Sequence, residues 1–277
     1  MTYRNILVTV DPFGASRLRV AAAVNIARRF NASLTGVFLQ AEAIPPFIAG
    51  DAFSAVTAVE AFMDDRKAVI AEAVVPARTL FETAAKNAGI PFTWHEINGD
   101  DSDTLAACAR RHDLTILPPT IPITGFNHTL DAAQVAMAAG GPVLILPELG
   151  YTPNFGANVL VAWKETREAA RAVRDAWPFL AAAGQVTFLT VGSDAEPAFD
   201  AIQQSNLNAH NCSHAKLVVD TNDGRDVSDA IRLRTGMVGA DMLVLGLYGH
   251  SRLHELLLGG VSRGLMKDVP MPILVSH

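Results

Sequence analysis

Cysteine is scarce: Cys108 and Cys212 are the only two in 277 residues, 104 positions apart, in no CxxC and no His/Cys cluster. A disulfide framework is excluded, a zinc site has no support, and a reduced, cytoplasmic chain is the expectation. Charge is sparse as well. Charged residues make up 18% of the chain, and the net charge of −6 divides into −4 for residues 1–150 and −2 for 151–277. Neither half is a basic platform, so no nucleic-acid partner is expected. No apolar run reaches about 18 residues without a charge or breaker, so no membrane partner is expected either. The run Ile6–Val10 is too short for a secretory segment and reads as a buried first strand. Two phosphate-binding patterns are missing, GxxxxGK[ST] and a GxGxxG after a first strand, and with them the ordinary P-loop kinase and dinucleotide dehydrogenase.

What is present is apolar matter, 50% of residues, in a length that suits about two domains. The two halves read as copies. Asn5-Ile6-Leu7-Val8-Thr9-Val10-Asp11 matches Asn158-Val159-Leu160-Val161-Ala162-Trp163-Lys164, and each is followed by a segment with helical periodicity (15–30 and 165–183) and a second apolar run (34–39 and 186–191). Helices near 60–88 and 195–208, strands near 92–97 and 215–220, helices near 102–111 and 227–238, and strands at 113–117, 241–245, 142–147 and 272–276 complete the pattern. Five strands alternating with four helices per half predict an α/β fold: two tandem open, doubly wound, five-stranded parallel sheets with helices on both faces. The turn-rich stretch Glu148–Gly156 places the boundary near 152, giving domains 1–152 and 153–277. Residues 41–59, with Pro45-Pro46 and Gly50, read as an inserted loop or lid, or as a variable surface connection.

Chemistry concentrates after the fourth strand of the second half. There Gly246-Leu247-Tyr248-Gly249-His250 leads through an arm to Gly259-Gly260-Val261-Ser262, which opens an apolar helix ending near Lys267. Glycine amides, a helix N-terminus and a serine hydroxyl beyond the carboxyl end of a strand suit the phosphates of a nucleotide. A tight turn with close helix packing is the structural alternative. The spacing Gly-x2-Gly-x9-Gly-[small]-x-Ser after Leu-Val-Leu-Gly resembles the ATP-binding signature of universal stress proteins, with Gly260 where Ser is commoner. The order of elements resembles that family over both halves. The resemblance implies an adenine-nucleotide alpha-hydrolase-like fold, two copies packed as an intrachain version of the usual homodimer, and a role in stress resistance or signalling. It implies ATP or a related adenine nucleotide, with Mg²⁺, as ligand, at a site made of Ala162, Lys164, Val191, Gly246, Gly249, His250, Gly259, Gly260, Val261 and Ser262. The tandem chain could pair again into a homodimer of four domains.

Two departures divide that site between the halves. ATP-binding members end the first strand in Asp; Asp11 matches, whereas Lys164 stands at the second-half position. Lys164 either meets a phosphate or acidic ligand or closes the site through a salt bridge. Conversely, the first half continues after its fourth strand as Pro118-Pro119-Thr120-Ile121-Pro122-Ile123-Thr124-Gly125, where prolines remove amide donors. The first half is therefore expected to be degenerate and mainly structural. Gly260-Val261-Ser262-Arg263-Gly264 fits GxSxG but does not follow a strand directly, which disfavours a hydrolase elbow. The pairs His210/His214 and His250/His254 have the spacing of one helical face but no third ligand. The acidic turns 100–103 and 220–224 would repel a polyphosphate unless Mg²⁺ intervened. With no clear general base, the expectation is nucleotide-dependent regulation rather than catalysis. The alternatives are a nucleotide-independent scaffold, or a weak Mg²⁺-dependent ATPase using Asp223 or His250.

Overall fold

Short apolar strands and amphipathic helices alternate along the whole chain. The computed structural model describes residues 2–40, 52–99, 101–125, 128–192, 201–221, 224–247, 264–266 and 271–277, with the side chains of 52–58 and 201–203 left out of the account. The first half runs β1 (Asn5–Thr9), α1 (Gly14–Phe30), β2 (Ser33–Gln40), α2 (Ala52–Asn87), β3 (Phe92–Asn98), α3 (Ser102–Ala109), β4 (Leu114–Leu117), β5 (Thr120–Pro122), β6 (Thr129–Asp131), α4 (Ala132–Ala139) and β7 (Val143–Ile145). The second runs β8 (Asn158–Ala162), α5 (Arg167–Ala182), β9 (Gln185–Val191), α6 (Ala201–Ala209), β10 (Lys216–Asp220), α7 (Val227–Val238), β11 (Met242–Gly246) and β12 (Ile273–Ser276). Helix ends follow local chemistry. Asp101, Asp131, Thr166 and Asp226 cap the starts of α3, α4, α5 and α7 by accepting backbone N–H bonds, and Asn31 and Gly239 end α1 and α7 in the left-handed region.

The strands join into one ten-stranded sheet ordered β10-β9-β8-β11-β12-β7-β4-β1-β2-β3. Two five-stranded parallel units with the same internal order thus meet edge to edge. The seam is the only antiparallel pairing in that sheet among the described residues, Ile273 opposite Ile145, Leu274 opposite Leu144 and Val275 opposite Val143. Helices cover both faces and give two apolar layers, each running through both halves: one holds Phe38, Phe81, Phe179 and Phe188, the other Leu7, Leu105, Leu117, Leu160 and Leu243. Each fully buried large side chain contributes about 1.5–3 kcal/mol. The halves also lock at one end. Tyr3, Phe30 and Phe179 form a three-ring cluster with centroids 5.1–5.7 Å apart, and Arg29 donates to the carbonyls of Phe155, Gly156 and Ala182.

Three expectations change. α2 begins at Ala52, so 52–59 is helical rather than loop, while 41–51 lie outside the described residues. The two sheets are one. The proline-rich stretch after β4 forms the β5–β6 hairpin, a separate two-stranded sheet.

Candidate functional site

In a sheet of this order the crevice opens where adjacent crossovers leave in opposite directions, at the carboxyl ends of β1/β4 and of β8/β11. In the first half this position is occupied by the chain itself. Asp11, two residues past β1, is buried and ion-paired with Arg19 of α1, which is 3% exposed. Arg19 also donates through Nε to the Thr9 carbonyl at 2.9 Å and through Nη2 to Ser16 Oγ at 3.2 Å. The other Asp11 oxygen accepts the Phe13 amide at 3.0 Å. The β5–β6 hairpin buries Ile121, Ile123 and Leu130 in the layer that holds Leu7 and Leu117. Thr124 N donates to Leu39 O at 3.1 Å, tying the hairpin to the end of β2, and Arg66 donates to the Gly125 carbonyl.

The second half keeps the geometry and changes the charges. Ala162 ends β8, flanked in register by Leu189 and Leu245; Val191 ends β9 opposite Asp220; Gly246 ends β11 opposite Ser276. Lys164 lies two residues past β8 and is exposed, with no ion pair among the described residues. Eight residues after Lys164 comes Ala172, the counterpart of Arg19. The cation has moved from the helix interior to the mouth. Ser276 Oγ and Thr190 Oγ1 are buried without a hydrogen-bond partner among the described residues, and by strand alternation they face the layer opposite Ala162 and Val191. The exposed Lys164 at this mouth fits an anionic group such as a nucleotide phosphate. Gly249, His250, Gly259, Gly260, Val261 and Ser262 lie outside the described residues. The helical residues that follow are docked on α7, where Gly264 lies against Ser228 and its carbonyl accepts from Arg232 at 2.5 Å.

Gly246 has a packing reason to be glycine: a Cβ there would lie 2.5 Å from Ala169 N and 2.6 Å from the Glu168 carbonyl carbon. Close approach of β11 to the first turn of α5 accounts for it. Beneath that turn Glu168 is buried and paired with the exposed Arg167. Burial raises its pKa, but hydrogen bonds from Arg167 and the backbone outweigh this and hold it below the ordinary value. Asp220, expected to repel phosphate, is neutralised by Arg234 at 3.2 Å and Arg225 at 3.7 Å. His210 and His214 do not share a helical face, because α6 ends at Ala209, and no group of three metal-ligating side chains occurs among the described residues. Residues that the motif did not single out are Thr166, which caps α5, and Glu168, against which Gly246 packs. The signal for them was their place immediately around Lys164.

No family model matches the sequence, and no curated protein matches it. Solved structures do. A universal stress protein from Archaeoglobus fulgidus DSM 4304 superposes over 98% of this chain and 95% of its own, with TM-score 0.69 and 14% identity. The chain has the universal stress protein fold. A functionally unknown protein from Pseudomonas aeruginosa PAO1 shares that fold at TM-score 0.59 and 14% identity, over 99% of this chain and 92% of its own. Among the described residues no helix is long and apolar enough to cross a membrane.

Proposed function

We propose that the chain is a cytoplasmic, tandem universal stress protein with domains 1–152 and 153–277, in which the second domain binds ATP or a related adenine nucleotide for regulation. The observation that carries this reading is the contrast at the two crevices. Asp11 is consumed by Arg19 and covered by its own half, whereas Lys164 presents an exposed cation, with no ion pair among the described residues, beside the ends of β8, β9 and β11. Phosphate oxygens would meet Lys164 and the amides of Gly249, Gly259 and Gly260, with Ser262 as a further donor and Ala162, Val191, Gly246, His250 and Val261 around them. Mg²⁺ would neutralise part of the phosphate charge.

The test is calorimetric titration of the purified chain with ATP, with and without Mg²⁺, after identification of any co-purified small molecule. One ATP per chain is expected, with Lys164→Glu weakening it by tenfold or more, equivalent to about 1.4 kcal/mol, and Gly259→Val abolishing it. No heat up to millimolar ATP would overturn the proposal. The filled first crevice favours a second reading, a nucleotide-independent scaffold, for which neither variant changes partner binding.

A further inference from the structure

We propose that the second half carries another small-molecule site, a pocket between α5 and α6 that takes a planar aromatic or heteroaromatic ring bearing an anionic group. It is a cavity of about 320 Å³, within the range of small-ligand sites. Its walls are ring-rich. Trp177 and His210 stack face to face, centroids 4.2 Å apart and planes within 7°, and Trp163 enters from the end of β8, steadied edge-on by Phe188 at 6.1 Å. Ala170 and Val173 line the side along α5. Such walls favour a flat ring over an aliphatic chain of equal area.

Arg174 supplies the charge. It lines this cavity and an adjoining one of about 480 Å³ that also contains Arg167, Arg171 and His277. Its neighbours are engaged: Arg167 with Glu168, and Arg171 with Asp175 and the Gly140 carbonyl. Arg174 is exposed and has no ion pair or hydrogen bond among the described residues. A cation standing where an apolar cavity meets a polar one selects a ligand with an aromatic end and an anionic end.

The first half lacks the corresponding side chains. Counted from Asn5 and Asn158, the positions of Trp163, Arg174 and Trp177 correspond to Val10, Ala21 and Val24. Val10 and Val24 are buried, and Phe81 of α2 packs in the same layer. The pocket also differs from the crevice of Lys164: Trp163 packs with the layer under α5, and Ala162 with the opposite one.

The experiment is calorimetry of the full chain with 2-naphthoate, its neutral analogue 2-naphthamide and the non-aromatic cyclohexanecarboxylate. Saturable 1:1 binding of 2-naphthoate is expected, with both comparators weaker by about tenfold or more. Arg174→Met, at an exposed position, should cost naphthoate about tenfold and leave the amide unchanged; Trp163→Leu should weaken both; Lys164→Ala should change neither. No saturation at millimolar naphthoate overturns the proposal, as does affinity unchanged in both Arg174→Met and Trp163→Leu. Loss of naphthoate binding in Lys164→Ala would put the ligand in the crevice and overturn it too. ATP titration of the same variants keeps the two sites apart, since failure of ATP binding leaves the naphthoate result standing.

Discussion

Asp11 and Lys164 hold equivalent places, and their surroundings make them opposite in consequence. Asp11 is buried against Arg19, so Arg19→Met strands a carboxylate in the interior and should lower stability by about 3–5 kcal/mol. Lys164→Ala removes an exposed side chain and should stay within about 0.5 kcal/mol; urea unfolding of both variants measures the contrast. Tyr151, in the segment between the halves, gives a pH signature. Burial pushes its phenol up to about 12, opposed by the positive charge of Arg19, whereas an unfolded phenol ionises near about 10. The unfolded chain therefore gives up this proton first. Its contribution to stability is complete below about pH 10 and is lost as pH rises through about 12. Urea midpoints should begin to fall at about pH 9, where burial of Cys108 and Cys212 holds their thiols up, and fall further above about pH 10, less steeply in Tyr151→Phe; the raised pKa of Tyr3 acts in the same direction.

Elements are positioned by close approaches that a side chain would spoil. Gly36 in β2 lies under the Phe81 ring of α2, where a Cβ would meet two ring atoms at 2.8 Å and a third at 2.9 Å. Gly36→Ala should cost about 1–3 kcal/mol, and less in a Phe81→Leu background. A double-mutant cycle reads the difference as coupling. The same logic alters the reading of Gly246, which fits a phosphate motif yet is already required by α5. Sequence spacing alone cannot separate the two causes. α7 was legible to the residue because Asp226 caps it and Gly239 ends it. The start of α2 was not, since Pro45-Pro46 and Gly50 precede it and made the stretch read as a loop. The β5–β6 hairpin was hidden because Pro118, Pro119 and Pro122 remove amide donors, although Pro122 sits on a two-stranded edge where no ladder N–H is needed.

Across the whole molecule, the repeat was legible because both copies keep the same order of elements, with spacing from Asn5 and Asn158 that agrees within one residue as far as the start of the second strand. The seam was not, because Val143–Ile145 and Ile273–Ser276 carry the same apolar pattern as any buried strand, and pattern does not name a neighbour. Nor could spacing show that Arg19 reaches back to Asp11, since that contact needs β1 and α1 already folded together. Of the site, the placement of Ala162, Lys164, Val191 and Gly246 along one rim followed from the strand ends. The seam carries its own prediction. A chain cut to the proposed first domain, 1–152, exposes the edge of β7 and the rings of Tyr3 and Phe30, and edges of this kind seek a partner strand. Sedimentation should find it self-associated, whereas mixing it with 153–277 should restore a one-to-one complex.

The seam at Leu144 and Leu274 is an association that dilution cannot undo. Two separate copies meeting at such an edge would part as their concentration fell, and both would have to carry the same crevice. Here a tether of a dozen residues between β7 and β8 keeps the effective concentration of one half near the other high at any abundance. The pairing is also obligatorily between unlike halves. One copy is thereby freed to pair its Asp11 internally with Arg19, while the other carries an exposed Lys164 at the equivalent place.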